Sequence, residues 1–448
     1  MTPTSPRSHN FRSIACIVAA ACVASPMLLR AQSPADATAA ASDERTGSRA
    51  TAAAQHDGTE QALGDLEGLR PWLAVRGMTL EAFLLGDLSR NFRGGLTTGR
   101  EVFRHLLEVA FTLDTEASFG HAGGTLFADF QTQAGRQGSD LLVGDAQGFS
   151  NLDADGFTAF YELWYQQLFA GGRLRLKVGK IDANNEFAFV ENGVLMLNSS
   201  AGFSPTILGF PTYPDPATGA VLFASPADWL YVGGGLFDGA TQAGFPTGTR
   251  GPATFFGEPD DIFLVAEAGI RRAVRGGRLR RFGVGVTHHT GTFDRVDGSA
   301  QTEKSTEEGA TSYYAVLDQR LADRSRPTAA ADSDDPGPGL DGFLQLGSTS
   351  DRLSPIDLHV GAGLVGSGYI PGRARDHVGL MATWVRFGDA ARAEGSVVER
   401  YELALELFYQ LRLTPWLSLQ PDLQYIVNPG GSGIDDALVG TLRLELAL

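Results

Sequence analysis

The chain has 448 residues, 43% of them hydrophobic and 56 of them glycine, with a formal net charge of −16. That charge excludes nucleic acid as a partner. Past the N-terminus there is no run of about 18 apolar residues, which excludes a helical membrane protein.

Arg7 and Arg12 precede an apolar stretch over 14–24, followed by Leu29-Arg30-Ala31-Gln32. This is the pattern of a secretory signal peptide, 1–31, cleaved after Ala31. Both cysteines, Cys16 and Cys22, fall inside it, so the exported chain carries no thiol to mispair in an oxidising periplasm. A lipoprotein reading of Ala19-Ala20-Ala21-Cys22 is weaker, because the usual large aliphatic residue is missing. Residues 32–66 are rich in Ala, Thr, Ser and Asp without periodicity and read as a disordered periplasmic tether.

From residue 67 onward the chain alternates at period two, the signature of β-strands. Alternating runs lie near 79–88, 106–116, 125–133, 161–169, 173–180, 221–225, 230–237 and 262–271. Others lie near 281–289, 312–321, 342–346, 356–364, 378–387, 401–412, 417–427 and 438–448. In the last three, leucines occupy one face and residues such as Glu402, Glu406, Gln420, Gln424 and Arg443 the other. A soluble sandwich gives the same alternation, so length decides. Runs of about 11 residues match a tilted strand crossing a bilayer, whereas soluble strands average about 5–6. Tyr401, Tyr409 and Tyr425 sit near run ends, where an interfacial girdle belongs. The expected fold is therefore all-β: a 16-stranded antiparallel transmembrane β-barrel over 67–448, with both ends on the periplasmic side. Residues 324–339 lengthen a periplasmic turn, and Asp318 and Arg320 share a face with Tyr314 and Val316.

Motifs of catalysis are missing: no nucleophile elbow, zinc-protease helix, phosphate loop or dinucleotide fingerprint is present, so no enzyme and no cofactor is expected. Asn151, Asp153 and Asp155 followed by Glu162 have calcium-loop spacing, but flanking helices are absent and Glu162 already belongs to a strand. The adjacent His288 and His289 cannot place both rings on one face of a strand, so no metal site is expected there.

The informative constellation is a hairpin around residues 160–180. Leu174, Leu176 and Val178 face one way; Arg173, Arg175 and Lys177 face the other and must point inward, because a midplane cation in lipid costs about 2–4 kcal/mol. On the preceding strand Tyr161, Leu163 and Tyr165 are expected to face lipid, and Glu162, Trp164 and Gln166 the lumen. A lumen-facing tryptophan suits stacking against a sugar, or packing beneath a loop.

Tyr161-Glu162-Leu163-Trp164-Tyr165, Val178-Gly179-Lys180-Ile181-Asp182-Ala183-Asn184 and Glu186-Phe187-Ala188 resemble the core of the OprB-type carbohydrate-selective porins. So do Leu197-Asn198-Ser199-Ser200, Ile370-Pro371-Gly372-Arg373 and the run from Thr414 to Ile426. The resemblance runs from about Gly68 to Leu448. It implies a sixteen-stranded barrel that admits sugars such as glucose by passive diffusion; whether the solute is a monosaccharide or a small oligosaccharide is left open by the sequence. Two features depart from the family: the insertion at 324–339, and a terminal Leu448 where barrels usually end in an aromatic residue. The alternatives are a general or anion-preferring porin of the same architecture and, more remotely, a secreted soluble glycan-binding β-protein. Heat-modifiable migration on a gel separates both barrels from the soluble form. Expected partners are carbohydrate solutes, outer-membrane lipid and lipopolysaccharide; whether the barrel forms a homotrimer is left open by the sequence.

The third external connection, about 181–220, is the longest and carries Phe187, Phe189, Leu195, Met196 and Leu197. Apolar residues in so long a loop need a partner, and the inside of the barrel is the nearest. The loop is expected to fold inward, bringing Asp182, Glu186 and Glu191 against Arg173, Arg175, Lys177 and Lys180. The substrate-binding lumen is accordingly assigned to Glu162, Trp164, Gln166, Arg173, Arg175, Lys177, Lys180, Asp182, Asn184 and Glu186.

Overall fold

The computed structural model describes residues 61–273, 279–297, 305–324, 337–395 and 397–448. The signal peptide, most of the tether and the greater part of the 324–339 insertion lie outside these residues.

Sixteen strands follow one another in chain order: β1 Met78–Arg93, β2 Glu101–Asp114, β3 Gly124–Gly135, β4 Phe157–Phe169, β5 Leu174–Ile181 and β6 Ala217–Ala227. Then come β7 Leu230–Asp238, β8 Ile262–Ala273, β9 Leu279–Asp294, β10 Thr306–Asp323 and β11 Gly339–Ser348. The last five are β12 Ile356–Ser367, β13 His377–Phe387, β14 Tyr401–Thr414, β15 Leu417–Val427 and β16 Ala437–Ala447. Each pairs with its chain neighbours, and β1 pairs antiparallel with β16, which closes the barrel. Closure removes every sheet edge, the condition for β-structure in lipid. A short helix, α1 (Leu69–Ala74), precedes β1 at the end carrying the tight turns. Beside it the Ala62 N–H donates to the Ala447 carbonyl at 2.9 Å, and the Leu448 N–H to that of Ala82 at 2.8 Å. These bonds fasten the β1–β16 seam.

The burial pattern is that of a soluble sheet turned inside out. On β14, Glu402 and Glu406 are fully buried while Leu405 and Leu407 are 39% and 51% exposed. Leucines facing outward and carboxylates facing inward fit a bilayer outside and a polar lumen inside. The mixed face of β10 follows the same rule: Tyr314, Val316, Asp318 and Arg320 all point inward and are buried. Strands β6 and β11 are longer than their alternating cores, because glycines at Gly219, Gly342 and Gly347 interrupt the apolar pattern without ending the ladder. Residues 115–119 turn into a helical cap rather than prolonging β2.

Many glycines sit where an aromatic ring crosses the neighbouring strand. Gly219 pairs with Phe237, Gly233 with Phe223, Gly285 with Tyr314, Gly363 with Phe343 and Gly379 with Phe408. Each ring fills the space a Cβ on its glycine would need, coming within 2.1–2.6 Å of that position, an arrangement that also pins register. These rings, with Phe187, Met196 and Ile207 from the connection after β5, form one buried apolar cluster. The core of this protein is therefore inside the barrel. A Cβ placed on Gly285 would meet the Tyr314 ring at 2.1 Å. Gly285→Ala is expected to destabilise the detergent-solubilised barrel by about 1–3 kcal/mol, as such overpacking does, and so to lower its denaturation midpoint. A midpoint equal to wild type would contradict the close-packed arrangement.

Candidate functional site

Two connections at the end opposite the termini run into the lumen: L2, residues 136–156 after β3, and L3, residues 182–216 after β5. A chain crossing the inside of a barrel has no neighbouring strand to satisfy its backbone, and each buried orphan N–H or C=O costs about 1–3 kcal/mol. Wall side chains take that role. Glu162 accepts from the Asp182 N–H at 2.9 Å, and Glu267 from the Ala188 N–H at 3.1 Å. Asp318 accepts from Glu191 and Asn192 at 3.1 and 3.0 Å, and Glu406 from Leu197 and Asn198 at 2.6 and 3.0 Å. For L2, Glu402 accepts from Ala146 and Gln147 at 2.8 and 3.1 Å. Glutamines serve the carbonyls. Gln345 donates to Ala201 and Gln420 to Leu195, both at 2.9 Å; Gln133 donates to Leu152 at 3.2 Å and Gln424 to Phe149 at 2.7 Å. The loops also bond each other, the Ser199 N–H to the Gly148 carbonyl and the Asn151 N–H to that of Leu197.

Glu186 of L3 lands on β5, where Arg175 Nη2 lies 2.7 Å from Oε2 and the Lys177 amine bonds Oε1. Burial alone would raise the Glu186 carboxyl, but the Arg175 and Lys177 charges more than offset it and hold it at about 2. The tether is therefore complete above the ordinary carboxylate range and is lost only as pH falls through about 2. Lys177 Nζ also sits 3.9 Å over the Trp164 ring, and Trp164 stacks on Phe127 at 4.9 Å with 22° between planes. Trp164 is 5% exposed. It packs between a cation and a ring, and the partly exposed face of the stack belongs to Phe127.

Of the residues expected at the constriction, Glu162, Trp164, Gln166, Arg175 and Lys177 all face the lumen, and Glu186 joins them. Arg173 does not meet L3: it lies in the β4–β5 turn at the terminus-bearing end and pairs with Asp228 at 3.4 Å. Lys180 falls on the other side of the pleat near the opposite mouth, its amine on the carbonyls of Phe160, at 2.6 Å, and Gly248. Asp182 bonds Tyr161 and caps the Asn184 N–H at 2.8 Å, and Asn184 donates to Phe187 and Gly202 at 3.2 Å each. The expectation that three acids approach four cations thus reduces to Glu186 between Arg175 and Lys177. Tyr161, expected in lipid, is buried instead. Asp129 and Phe130 pair with Glu162 and Phe160, leaving Tyr161 as the extra residue of a bulge that turns its ring inward.

The calcium-spaced segment spends its acceptors on protein donors. Asp153 accepts from Gly138 and Ser139 at 2.9 Å each and pairs with Arg104 at 2.8 Å; Asp155 accepts from Gln137 at 2.7 Å. Among the described residues no group of carboxylates, histidines and cysteines is placed to hold a metal. His289 is buried against the Gly239 carbonyl, while His288 faces outward on Thr311. The anchors Glu267, Asp318, Glu402 and Glu406 lie outside the set of site residues expected from sequence. Their signal was a carboxylate on the inward face of an otherwise alternating strand.

A closed sixteen-stranded barrel, apolar outside and narrowed within by its own loops, is an outer-membrane porin. A family model described as the carbohydrate-selective porin, OprB family, matches residues 104–448, and the chain belongs to that family. It is a carbohydrate-selective outer-membrane porin, in a family of channels rather than enzymes. Porin B of Pseudomonas aeruginosa is 23% identical over 425 residues, 86% of this chain and 90% of that protein. The high-pH structure of Pseudomonas putida OprB aligns with a TM-score of 0.73 at 19% identity, over 87% of this chain and 99% of that one. Its low-pH structure gives 0.54 at 16% identity, over 87% and 98%.

Replacing Glu406 with alanine removes the acceptor for two buried N–H groups of L3, a loss of about 1–3 kcal/mol for each. Glu406→Ala is expected to make the open-channel current noisier in planar bilayers and the 195–200 segment cleavable by protease. A quiet channel with an uncut loop would show that Glu406 does not hold L3.

Proposed function

We propose that this porin admits small neutral sugars, monosaccharides such as glucose, by passive diffusion past L2 and L3. The observation carrying this reading is that the buried inward-facing cations Arg443, Arg281, Arg320, Arg175 and Lys177 are each held by a carboxylate of the same barrel. Arg443 holds Asp87 through two bonds of 2.8 Å, Arg281 holds Glu267 at 2.6 Å, and Arg320 holds Asp341 at 2.8 Å. Arg175 and Lys177 hold Glu186. Paired charges offer little to a free ion. Amides, hydroxyls and rings remain to exchange hydrogen bonds and C–H contacts with a sugar. A general or anion-preferring pore would draw on cations without carboxylate partners, and this pairing argues against it.

Within the reading, Gln166, Asn184 and the Arg175–Glu186 pair border the passage. Glu162, Lys177 and Asp182 hold L3 in place, Trp164 backs the wall, and Arg173 and Lys180 stand at the two mouths. Export through a cleaved signal peptide over 1–31 and a tether over 32–66 completes the account, supported by the basic-then-apolar pattern of the N-terminus. Lipopolysaccharide surrounding the outer rim follows from the same location. A homotrimer is not required, since L3 is anchored within its own barrel.

Arg175→Ala, recorded in planar bilayers with and without glucose, tests the assignment. Glucose block is expected to weaken about tenfold, the weight of one charge-assisted hydrogen bond. Ion selectivity should shift toward cations as Glu186 loses a partner. Unchanged block and unchanged selectivity would remove Arg175 from the passage, and equal flux of glucose and gluconate through wild type would favour the general pore.

A further inference from the structure

Trp164, on the polar face of its strand, suits an aromatic platform by sequence, but its ring is occupied by Lys177 and by Phe127. The exposed aromatic surface is one strand away. Phe127 lies on the inward face of β3, partly buried against the lumen cluster. Across the sheet it pairs with Thr112 of β2 on one side and Trp164 of β4 on the other, while Thr125 pairs with Gln166. Thr112, Thr125 and Gln166 share its inward face and its intermediate exposure. Side chains directly or diagonally opposed on a sheet lie within about 5–8 Å of one another. One ring bordered by two hydroxyls and an amide therefore forms a continuous wall patch. It lies toward the terminus-bearing end, where β3 begins and β4 ends.

We infer that this patch is a carbohydrate subsite on the exit side of L3, with Phe127 as its stacking platform. The inference deepens the sugar-porin reading and rests on it. An apolar C–H face of a sugar settles on the Phe127 ring, and its equatorial hydroxyls exchange with Thr112, Thr125 and Gln166. The ring is held rigid from behind. Trp164 stacks on it, Lys177 presses on Trp164, and Glu186 of L3 holds Lys177. Gln166 is oriented in turn by Arg175, whose Nη1 donates to its Oε1 at 3.2 Å. The loop that narrows the pore thus also positions the platform beneath it. A platform pre-formed in this way loses little side-chain entropy on binding, which matters for weak solutes.

The test uses Phe127→Leu, which keeps Trp164 covered but removes the ring, beside Phe127→Trp and Thr125→Val. In planar bilayers with d-glucose, Phe127→Leu should raise the half-blocking concentration about three- to tenfold, the range of one aromatic contact. Salt conductance and ion selectivity should stay at wild-type values. Phe127→Trp should restore or tighten block, Thr125→Val should weaken it less, and the change should be larger for glucose added on the periplasmic side. All variants should keep heat-modifiable migration. Wild-type block in Phe127→Leu overturns the subsite alone, and so does a loss of block accompanied by altered conductance and selectivity. A wild-type channel indifferent to glucose overturns the sugar-porin reading and the subsite with it.

Discussion

A polypeptide loop that enters its own barrel must find hydrogen-bond partners for its backbone where no strand runs alongside. Everything specific to this lumen follows from how that need is met. Carboxylates on β4, β8, β10 and β14 receive the N–H groups of L3 and L2, and glutamines on β3, β11 and β15 meet their carbonyls. The two residue types divide the task by chemistry: a carboxylate only accepts, whereas the glutamine amide supplies the donor. Beneath this polar scaffold the apolar side of L3 settles onto rings that lie over glycines of the wall. Hydrogen bonds fix the path of the loop, and apolar packing gives it weight.

The same arrangement explains how an acidic chain can form a pore suited to neutral solutes. Carboxylates that cap backbone N–H groups or grip arginines are engaged by the protein itself. Asp87 between Arg443 and Arg104, and Glu267 between Arg281 and two tyrosines, are examples. A buried pair of this kind adds little net stability, but removing one partner is costly, about 3–5 kcal/mol. Selection for a fixed constriction and selection for cations held by the protein's own carboxylates therefore act on the same residues.

The barrel was legible because its rule is local. Alternation at period two announces each strand and each face, and the inward and outward faces of β14 to β16 read correctly, with ends shifted by one or two residues in β14 and β16. The inward course of L3 was legible from its apolar residues. Its docking was not, since the choice of Arg175 and Lys177 over Arg173 and Lys180 depends on how deep the loop descends. A one-residue bulge opposite Asp129 and Phe130 sends Tyr161 inward, and nothing in the alternation marks it. Trp164 stood out as an unusual residue on a polar face. That Phe127 would cover it depends on cross-strand register, which a single sequence does not carry.

Backbone amide hydrogen exchange across residues 185–200, measured on the porin in lipid nanodiscs, bears most directly on the anchoring of L3. If wall carboxylates hold the loop, the amides of Ala188, Glu191, Asn192, Leu197 and Asn198 exchange nearly as slowly as those of β14. Exchange of those five amides at the rate of an exposed external loop would contradict the account, whatever solute the pore carries.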